Sequence, residues 1–366
     1  MIRVLQCVNN MHRAGLETLL MNYYRKIDRT KIQFDFLMHR SECSEYDDEI
    51  ESLGGRIFRA PRLYPQNYPA YFAFMKQFFR EHPEYKIVHS HIDSMSFLPL
   101  LAAKKAGVPV RIAHSHSTSI DLDAKYPLKQ FFRSQIKHVA THCFACGDEA
   151  GKFLFGGRDF QVIPNAIDGE KFYFREDVRI KKRQELGIDG KMVIGHAGRF
   201  TYAKNHTFLL EIFGETLKQE PNAVLLLAGK GEKEEKIRNH AEKLKISDHV
   251  MFLGSRDDMH ELYQAMDIFV MPSLFEGVPV VGIEAQYAGL PCVFSDKVPR
   301  EVMFTDQCQF VDLRKSAAQW AQQVLQSAHG ANRMQSIECV TYDINHACSV
   351  LENRYTELYA QLESNR

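Results

Sequence analysis

The sequence predicts an α/β protein with two domains, each built on a parallel β-sheet. Apolar segments of strand length alternate with segments of helix length along most of the chain, and this alternation is typical of βαβ units. The chain has 366 residues, more than one hydrophobic core usually organises, so two domains are expected. Ligands of such sheets bind at the carboxyl ends of strands, and polar residues that directly follow a strand are therefore candidate site residues.

The composition excludes several classes of protein. Lysine plus arginine equals aspartate plus glutamate, 46 of each, which gives no electrostatic reason to expect nucleic acid as a partner. No apolar run approaches the roughly 18 residues of a membrane span, and Met1–Val8 is followed directly by polar residues, so neither a span nor a signal peptide is expected. The eight scattered cysteines are typical of reduced thiols in the cytoplasm. Cys143-x-x-Cys146 lacks a second pair at zinc spacing, which disfavours a metal or redox role.

The first half of the chain contains seven predicted strands and six predicted helices. The strands are Ile2–Val8, Ile32–Met38, Arg56–Phe58, Lys86–Ser90, Val108–Ala113, His142–Ala145 and Gln161–Ile163. The helices are Gly15–Lys26, Tyr46–Leu53, Tyr68–Arg80, Met95–Ala106, Lys125–His138 and Glu149–Phe155. Gly15 lies where the first strand turns into the first helix, and a glycine there allows close approach of an anion to the helix start.

Histidines end two of these strands. His89 and His91 lie at the end of one strand, and His114 and His116 lie at the end of the next. Imidazole exchanges a proton near neutral pH, so these side chains are candidate catalytic groups. The alternative is that they bind the loop backbone.

The helix Lys125–His138 is basic and amphipathic. Lys125, Lys129, Arg133 and Lys137 recur every fourth residue, and aromatic and aliphatic residues form the other side. Such a helix can lie on an anionic membrane surface. The alternative is an ordinary solvated helix whose aromatic residues pack on the domain.

The second half contains further strands and helices after a charged segment, Gly169–Gly190, interpreted as a linker with a short helix. Strands are predicted at Met192–His196, Ala223–Ala228, Val250–Leu253, Asp267–Met271 and before Phe294. Helices are predicted at Glu232–Leu244, Asp258–Met266, between Pro279 and Gly289, at Ser316–Ala328 and at Ile344–Leu362. Gly229-Lys-Gly231 lacks the third glycine of a dinucleotide fingerprint, because Glu234 occupies that position, and this disfavours an NAD site.

Two carboxylates interrupt the apolar stretch Asp267–Phe294. Glu276 precedes the predicted helix and Glu284 lies within it. A buried carboxylate needs a partner, and the N–H groups at the helix start favour an anion. A phosphorylated, hydroxyl-rich ligand would satisfy both features. Alternatively, Glu276 caps the helix and Glu284 pairs with a neighbouring arginine.

A second polar cluster, Gly198-Arg199 and Lys204, follows the strand Met192–His196. A guanidinium and an ammonium at one strand end can bind a diphosphate. An isolated Arg–Lys pair of this kind is, however, more often solvated surface.

These motifs together resemble those of retaining GT-B glycosyltransferases, specifically glycosyltransferase family 4. Glu276 and Glu284 match the E-x7-E motif in the context SLFEGVP, Arg199 and Lys204 match G-R-x4-K, and Pro164–Asp168 is similar to P-N-G-[VI]-D. The resemblance implies two Rossmann-like, doubly wound domains that face each other across a deep cleft, which would hold the active site. Residues 1–168 would form the acceptor domain, 169–190 the linker, 191–343 the nucleotide-sugar domain and 344–366 a helix that crosses back.

The resemblance also implies roles for individual residues. Arg199 and Lys204 would clamp the pyrophosphate beside Gly198, and the helix start at Gly277 and Val278 would bind it through N–H groups. Pro279 and Val280 would border the substrate. Glu276 would bind the sugar hydroxyls and Glu284 the ribose, while the backbone around Arg256 would border the base.

In the first domain, the resemblance places His116 on the sugar and acceptor side, with His114 as the second candidate. Gly15 would approach the donor phosphates and Asn165 belongs to the interdomain motif. Two family glycines are replaced, by Ala14 and Ala166.

The function that this resemblance implies is transfer of a hexosyl unit with retention of anomeric configuration. UDP is favoured as the donor nucleotide over GDP, and no metal cofactor is expected, because two basic side chains replace one and no Asp-x-Asp signature lies in these loops. Gly15–Tyr24 is similar to bacterial exopolysaccharide and capsule enzymes, which implies a glycan or lipid-linked acceptor at the inner face of the membrane. The alternatives are a non-catalytic sugar-nucleotide-binding subunit and another GT-B enzyme, such as an epimerase or a phosphorylase.

Overall fold

The chain forms two compact α/β units in the computed structural model, which describes residues 1–120, 125–329, 333 and 337–364. Unit 1 comprises Met1–Ala166 together with the chain from Ile344 onward, and unit 2 comprises Ile167–Asp343. The helix Glu176–Leu186, which lies in the segment interpreted as a linker, belongs to unit 2.

Unit 1 is built on seven strands with helices between them. The strands are β1 (Ile2–Val8), β2 (Ile32–Met38), β3 (Ile57–Arg59), β4 (Ile87–Ser90), β5 (Val110–Ser115), β6 (His142–Ala145) and β7 (Gln161–Val162). The helices before unit 2 are α1 (Gly15–Lys26), α2 (Asp47–Ser52), α3 (Tyr68–Glu81), α4 (Phe97–Lys105), α5 (Tyr126–Gln135) and α6 (Asp148–Phe155).

The sheet of unit 1 has the order β3-β2-β1-β4-β5-β6-β7, and its strands pair in parallel. Its central strands are buried on both faces, as helices on both sides require; β2 is buried at every position. The buried carboxylate of Asp35 in β2 is compensated by Arg3 and by Tyr85, whose Oη donates to Oδ2 at 2.8 Å. The strand order reverses between β1 and β4, so loops after these strands open a crevice at the carboxyl edge.

Unit 2 repeats this design with six strands. They are β8 (Val193–Ala197), β9 (Val224–Ala228), β10 (Val250–Gly254), β11 (Ile268–Met271), β12 (Cys292–Ser295) and β13 (Cys308–Val311). Its helices are α7 (Glu176–Leu186), α8 (His206–Leu217), α9 (Glu234–Lys243), α10 (Met259–Ala265), α11 (Val280–Tyr287) and α12 (Ala317–His329). The order is β10-β9-β8-β11-β12-β13, all parallel, with the reversal between β8 and β11.

The final helix, α13 (Ile344–Ser364), returns to unit 1 and packs against α1. Leu351 and Tyr355 are among its buried residues, and Tyr355 is fully buried. The carboxylate of Glu352 accepts a hydrogen bond from the backbone N–H of Asp28 at 2.6 Å, just after α1. Apolar packing and this polar contact together fix α13 on unit 1.

The α/β prediction is confirmed, and most predicted elements end within two residues of the observed ones. Two elements were not predicted, namely α8 and β13. The α8 sequence, HTFLLEIFGETL, is apolar over most of its length and lacks a clear polar stripe, because its first turns are buried. The strand β13 has only four residues. Within the described ranges, no helix is long and apolar enough to cross a membrane.

Candidate functional site

The loops after β8 and β11 meet at the point in unit 2 where the strand order reverses. Lys204 from the first loop lies with its Nζ 2.7 Å from Oε1 of Glu276 in the second. Backbone contacts join the same loops: Leu274 N–H donates to the Ala203 carbonyl at 2.7 Å, and the Asn205 amide donates to the Pro272 carbonyl at 3.1 Å. Two predicted site residues that are distant in sequence are therefore direct neighbours.

Glycines allow the loops at this edge to approach one another. A Cβ on Gly198 would lie 3.0 Å from Cε of Lys204, and one on Gly229 would lie 2.1 Å from the Gly198 carbonyl oxygen. Gly229 also has a φ of +141°, which side chains rarely adopt. Glycine is therefore required at Gly229, whereas a side chain at Gly198 would press only on the flexible end of Lys204.

Arg199 and Lys204 differ in their surroundings. The Arg199 side chain is exposed, whereas Lys204 is largely covered and paired with Glu276. Between them, Phe200 is fully buried and its N–H donates to the Lys230 carbonyl at 3.0 Å. The loop is thus anchored at its centre, with one basic side chain held in place and the other facing outward.

The residues Gly277–Val280 lead into α11 and are buried. The helix begins at Val280, and Pro279 precedes it in an extended conformation, at the position just before the first helical turn. N–H groups at a helix start have no partner within the helix, and they carry partial positive charge. Anion binding by this segment stays a prediction.

Glu284 lies one turn into α11 and is 6% exposed. The hydroxyl of Tyr263 in α10 donates to its Oε2 at 2.8 Å. Burial raises the pKa of Glu284 to about 7, although the Tyr263 hydrogen bond acts in the opposite direction. The partner is a neutral phenol, not the arginine of the alternative interpretation, so the charge of an ionised Glu284 is not neutralised by it.

Arg256 follows β10, but its guanidinium is engaged within unit 2. It binds the carboxylate of Asp258, with 2.7 Å between Nε and Oδ1. Lys182 in α7 lies 2.9 Å from the same carboxylate, and the pKa of Asp258 is lowered by the Arg256 and Lys182 hydrogen bonds. Contact of the backbone around Arg256 with a base stays a prediction.

In unit 1, His89, His91, His114 and His116 form one group of stacked rings, the histidine cluster. They lie at the ends of β4 and β5, and His114 and His116 have ring centroids 4.0 Å apart. His89, His91 and His114 are buried, while His116 is half-buried. The backbone N–H of His116 donates to Oδ1 of Asp93 at 2.8 Å, which fixes the strand end.

Burial keeps the cluster neutral. It lowers the pKa of His116 to about 3 and the pKa values of the other three rings well below the ordinary value. For His89, His91 and His114 the neighbouring histidines add to this effect, because like charges repel. His116 can therefore accept or donate a hydrogen bond at neutral pH, but it holds an extra proton poorly.

Three members of the cluster could also supply ligands to a metal ion. His89, His91 and His114 each offer a nitrogen, and these nitrogens lie within 4.8 Å of one another. In the structure, however, Nε2 of His89 and Nδ1 of His114 are hydrogen-bonded to each other at 3.1 Å. A metal ion would have to displace this bond. The expected absence of a metal cofactor stays a prediction.

The remaining site residues of unit 1 lie apart from the histidine cluster in sequence. Gly15 begins α1, and a Cβ built there meets nothing within 4 Å, so packing does not require glycine. Asn165 is buried in a segment that docks on α1, where Tyr23 Oη donates to the Pro164 carbonyl at 2.7 Å. Neither residue has a demonstrated ligand role.

The basic helix is α5, continued by a short 3₁₀ turn to His138. Lys125 lies 4.0 Å from the ring centroid of Tyr64, and Arg133 lies 4.4 Å from that of Phe153. Phe131 is 56% exposed and Lys137 is exposed. Part of the charge of this helix packs on the unit, while an aromatic ring and a lysine face solvent. Contact with a membrane stays a prediction.

Four residues that support these sites were not predicted from the sequence. Gln6 and Tyr355 hydrogen-bond to rings of the histidine cluster, Tyr263 donates to Glu284, and Arg333 donates to the Tyr263 carbonyl. The polar Gln6 inside the apolar segment IRVLQCV was a usable signal, since a buried polar side chain needs partners. Tyr263 and Tyr355 gave no such signal, because tyrosine is common in helices that pack on a core.

The chain matches two family models. The model described as "Glycosyl transferases group 1" matches residues 178–337, and the one described as "Glycosyltransferase Family 4" matches residues 13–171. The Bacillus subtilis protein named putative glycosyltransferase EpsF is 40% identical over 309 residues, covering 82% of this chain and 80% of that protein. The Staphylococcus aureus capsular polysaccharide biosynthesis glycosyltransferase CapH is 24% identical over 97% of this chain and 99% of its own length.

The fold is also that of solved structures. Anabaena Alr3699/HepE, crystallised with UDP-glucose, superimposes with a TM-score of 0.76 at 18% identity, covering 100% of both chains. The GT-B prediction for the fold is thereby confirmed. The family prediction is confirmed as well: the chain belongs to glycosyltransferase family 4.

Proposed function

We propose that this glycosyltransferase transfers a hexosyl unit from a UDP-sugar to a hydroxyl group of a glycan or lipid-linked oligosaccharide, with retained anomeric configuration. The observation that carries the proposal is the Lys204–Glu276 pair, which places a phosphate-binding cation and a hydroxyl-binding carboxylate side by side. A sugar diphosphate presents both groups adjacent to one another. The diphosphate would take Lys204, and the sugar hydroxyls would take Glu276.

The nucleoside part of the donor would bind beside Glu284. This buried carboxylate has a neutral partner in Tyr263 and gains from further hydrogen-bond donors, which ribose hydroxyls provide. UDP is favoured because the similar Anabaena structure is a UDP-glucose complex. GDP is the second choice.

The chemistry depends on stabilisation of the leaving group. The bond between the anomeric carbon and the diphosphate oxygen breaks, the acceptor oxygen attacks the same face, and its proton passes to the departing diphosphate. Arg199, Lys204 and the N–H groups of Gly277 and Val278 would stabilise the developing negative charge, an effect that is often the largest in such reactions. We therefore propose that no metal ion is needed. His116 would orient a substrate hydroxyl.

The acceptor would belong to surface polysaccharide biosynthesis, as the name of the Staphylococcus aureus relative indicates for that protein. A lipid-linked acceptor would place the enzyme in the cytoplasm at the inner face of the membrane. The exposed Phe131 of α5 and Lys137 of the 3₁₀ turn after it, together with Lys125, Lys129 and Arg133, support a peripheral contact there.

A thermal-shift experiment with UDP, GDP and a panel of their sugars, each with and without EDTA, tests the donor site. A ligand of the folded state at 100 times its Kd adds about 2.7 kcal/mol of stability. We expect UDP and one UDP-sugar to raise the Tm regardless of EDTA, and Arg199→Ala to abolish the shift. Arg314→Ala is the matched control, because Arg314 is an exposed arginine of unit 2 that pairs with Asp312. No shift with any nucleotide would refute the donor site.

Product analysis separates the enzyme classes. Incubation of the stabilising UDP-sugar with an acceptor should give a glycoside whose anomeric configuration, read from the NMR coupling of its anomeric proton, equals that of the donor. A non-catalytic binding subunit would release neither UDP nor free sugar. An epimerase would convert the UDP-sugar without an acceptor.

A further inference from the structure

Two hydrogen-bonded chains run from Gln6 through the histidine cluster. Gln6 lies in β1 and is fully buried. Its Oε1 is 2.8 Å from Nε2 of His91, and Nδ1 of His91 is 3.0 Å from Nε2 of His116. Its amide nitrogen donates to the hydroxyl of Tyr355 at 3.4 Å. The second chain continues from Tyr355, whose Oη is 2.6 Å from Nδ1 of His89, and Nε2 of His89 is 3.1 Å from Nδ1 of His114.

The first chain determines which nitrogen of His116 carries its proton. The carbonyl oxygen of Gln6 can only accept, so His91 must carry its proton on Nε2. A neutral imidazole has one N–H, and Nδ1 of His91 is therefore an acceptor. His116 must then donate from its own Nε2, which leaves its Nδ1 as a bare acceptor. The neutrality assumed here follows from the burial of the cluster.

The second chain has the opposite end group. The hydroxyl of Tyr355 accepts from Gln6 and so donates its own proton to Nδ1 of His89. His89 then donates from Nε2 to Nδ1 of His114, and His114 carries its proton on Nε2. That Nε2 is buried and has no hydrogen-bond partner among the residues the structure describes. One chain thus ends in an acceptor and the other in a donor.

We propose that Gln6 is a positioning residue that fixes His116 as the Nε2–H tautomer, so that its Nδ1 accepts a hydrogen bond from a substrate hydroxyl. Tyr355 fixes the proton positions of the second chain in the same way, so that His114 is a donor at Nε2. The inference rests on the proposed function for the identity of the substrate hydroxyl. The tautomers themselves follow from the contacts within unit 1.

The geometry also limits where a substrate can reach the cluster. Gln6, Tyr23, His89, His91, His114 and Tyr355 are among the residues that line a cavity of about 10 Å³. That volume is no larger than one water needs, so no sugar can enter from this side. His116 is the one member of the cluster that is not fully buried, and a hydroxyl would meet the cluster there.

Long-range ¹H–¹⁵N NMR on the substrate-free protein, labelled with ¹⁵N-histidine, measures the tautomers directly. Signals are assigned from the one lost in His116→Asn and from equivalent single changes at the other three rings. We expect all four rings to be Nε2–H tautomers with a bare Nδ1. An Nδ1–H tautomer at His116, or exchange between its two tautomers, would overturn the proposal.

Two variants then separate positioning from general structural support. Gln6→Met should leave His116 as a mixture of tautomers and lower kcat by about 10-fold, the effect of one lost hydrogen bond, with the donor KM unchanged. Tyr355→Phe should keep the His116 tautomer and alter only His89 and His114. Loss of stability in both variants with an unaltered His116 spectrum would show a merely structural role.

The NMR measurement needs no substrate. If Gln6→Met or Tyr355→Phe fails to fold, the tautomers of the wild-type protein still test the proposal. A protein with the expected tautomers but no glycosyl transfer would refute the proposed function and leave this inference standing. Glycosyl transfer by a protein in which His116 is the Nδ1–H tautomer would refute this inference and leave the proposed function standing.

Discussion

Lys204 and Glu276 form an ion pair between the loops that follow β8 and β11, with Nζ and Oε1 2.7 Å apart. Their side chains are 17% and 12% exposed, so this pair is shielded from solvent more than a surface pair. A donor would have to separate the two charges and give each a new partner. The pair thus holds both side chains in place before the donor binds.

We expect this pair to be energetically coupled. In a double-mutant cycle of Lys204→Met and Glu276→Gln, the coupling free energy should be about 1 kcal/mol, at the upper end for exposed pairs. Urea unfolding followed by the fluorescence of Trp320 measures it, because this single tryptophan is buried in unit 2. Each single variant should also lower the transfer rate by about 100-fold or more.

The matched control for this cycle is Lys218–Glu215, an exposed pair one turn apart on unit 2. Its coupling should be below about 0.5 kcal/mol. Additive effects of Lys204→Met and Glu276→Gln would contradict the coupling. A normal transfer rate in either variant would show that the substituted residue does not belong to the site.

Donor affinity should depend on pH through Glu284. Its pKa is raised from 4.5 to about 7, and only the ionised form accepts hydrogen bonds from both ribose hydroxyls. The affinity for UDP-glucose should therefore rise by about 10-fold per pH unit below pH 7 and level off above it. Calorimetric titration from pH 5.5 to 8.5 measures this. UDP-glucose is preferable to UDP because its diphosphate is esterified at both ends and does not titrate here.

The free energy of unfolding of unit 2 should also depend on pH through Glu284, but it should fall as the pH rises. Between pH 4.5 and about 7 the folded protein keeps a proton on Glu284 that the unfolded chain has lost, so this contribution to stability falls as the pH rises. Glu284→Gln should remove both dependences. A variant that retains the full pH dependence of binding would assign it to another group.

Arg333 should be essential for the arrangement of Tyr263 and Glu284. Its guanidinium donates to the carbonyls of Tyr263 at 3.1 Å and Gln264 at 2.9 Å at the end of α10, and to that of Ala288 at 2.7 Å after α11. Arg333→Met would remove the donor to the carbonyls of Tyr263 and Ala288, whereas Arg179 still donates to that of Gln264 at 2.9 Å. The variant should lower the free energy of unfolding of unit 2 by about 3 kcal/mol.

Arg333→Lys should restore little of that stability, because an ammonium cannot bridge the ends of two helices as a planar guanidinium does. Arg314→Met, at an exposed arginine, should change stability by less than about 0.5 kcal/mol. Trp320 fluorescence reports all three variants. Equal stabilities for Arg333→Met and wild type would show that the two helix ends need no common partner.

The sequence was most informative where a site is local and least informative where it depends on strand order. Arg199 and Lys204 follow one strand, and Glu276 and Glu284 flank one helix start, so their spacing is visible in the chain. The pairing of Lys204 with Glu276 depends on β11 lying beside β8, which no local pattern specifies. Gln6 and Tyr355 are 349 residues apart and meet only because α13 returns to unit 1.

Local patterns also failed where burial removed them. The helix α8 shows little amphipathic contrast because residues around most of its circumference are apolar. The edge strand β13 is interrupted by the polar, exposed Gln309, so it lacks a continuous apolar run. Conversely, α1 and β1 were predicted with their observed ends. Each combines a clear apolar pattern with a marked boundary, Gly15 for the helix and a polar loop for the strand.

The exposed part of α5 should bind anionic membranes. Phe131 and Lys137 face solvent, whereas Lys125 and Arg133 lie over aromatic rings of unit 1. Insertion of a phenyl ring contributes up to about 2 kcal/mol and a lysine near an anionic surface about 1 kcal/mol. The combined change Phe131→Ser with Lys137→Glu should therefore weaken binding by at least about 10-fold.

Co-sedimentation with vesicles measures this binding, with phosphatidylglycerol in one set and only neutral lipid in the other. Wild type should bind the anionic set, less at high salt, and should bind the neutral set weakly, because the electrostatic part is screened or missing. Lys218→Glu, the same charge reversal at an exposed lysine of unit 2, controls for net charge and should bind nearly as wild type does. An equal loss of vesicle binding in Lys218→Glu would show that overall charge attracts the protein to the membrane. Unaltered binding of the Phe131→Ser, Lys137→Glu variant would show that α5 is an ordinary solvated helix.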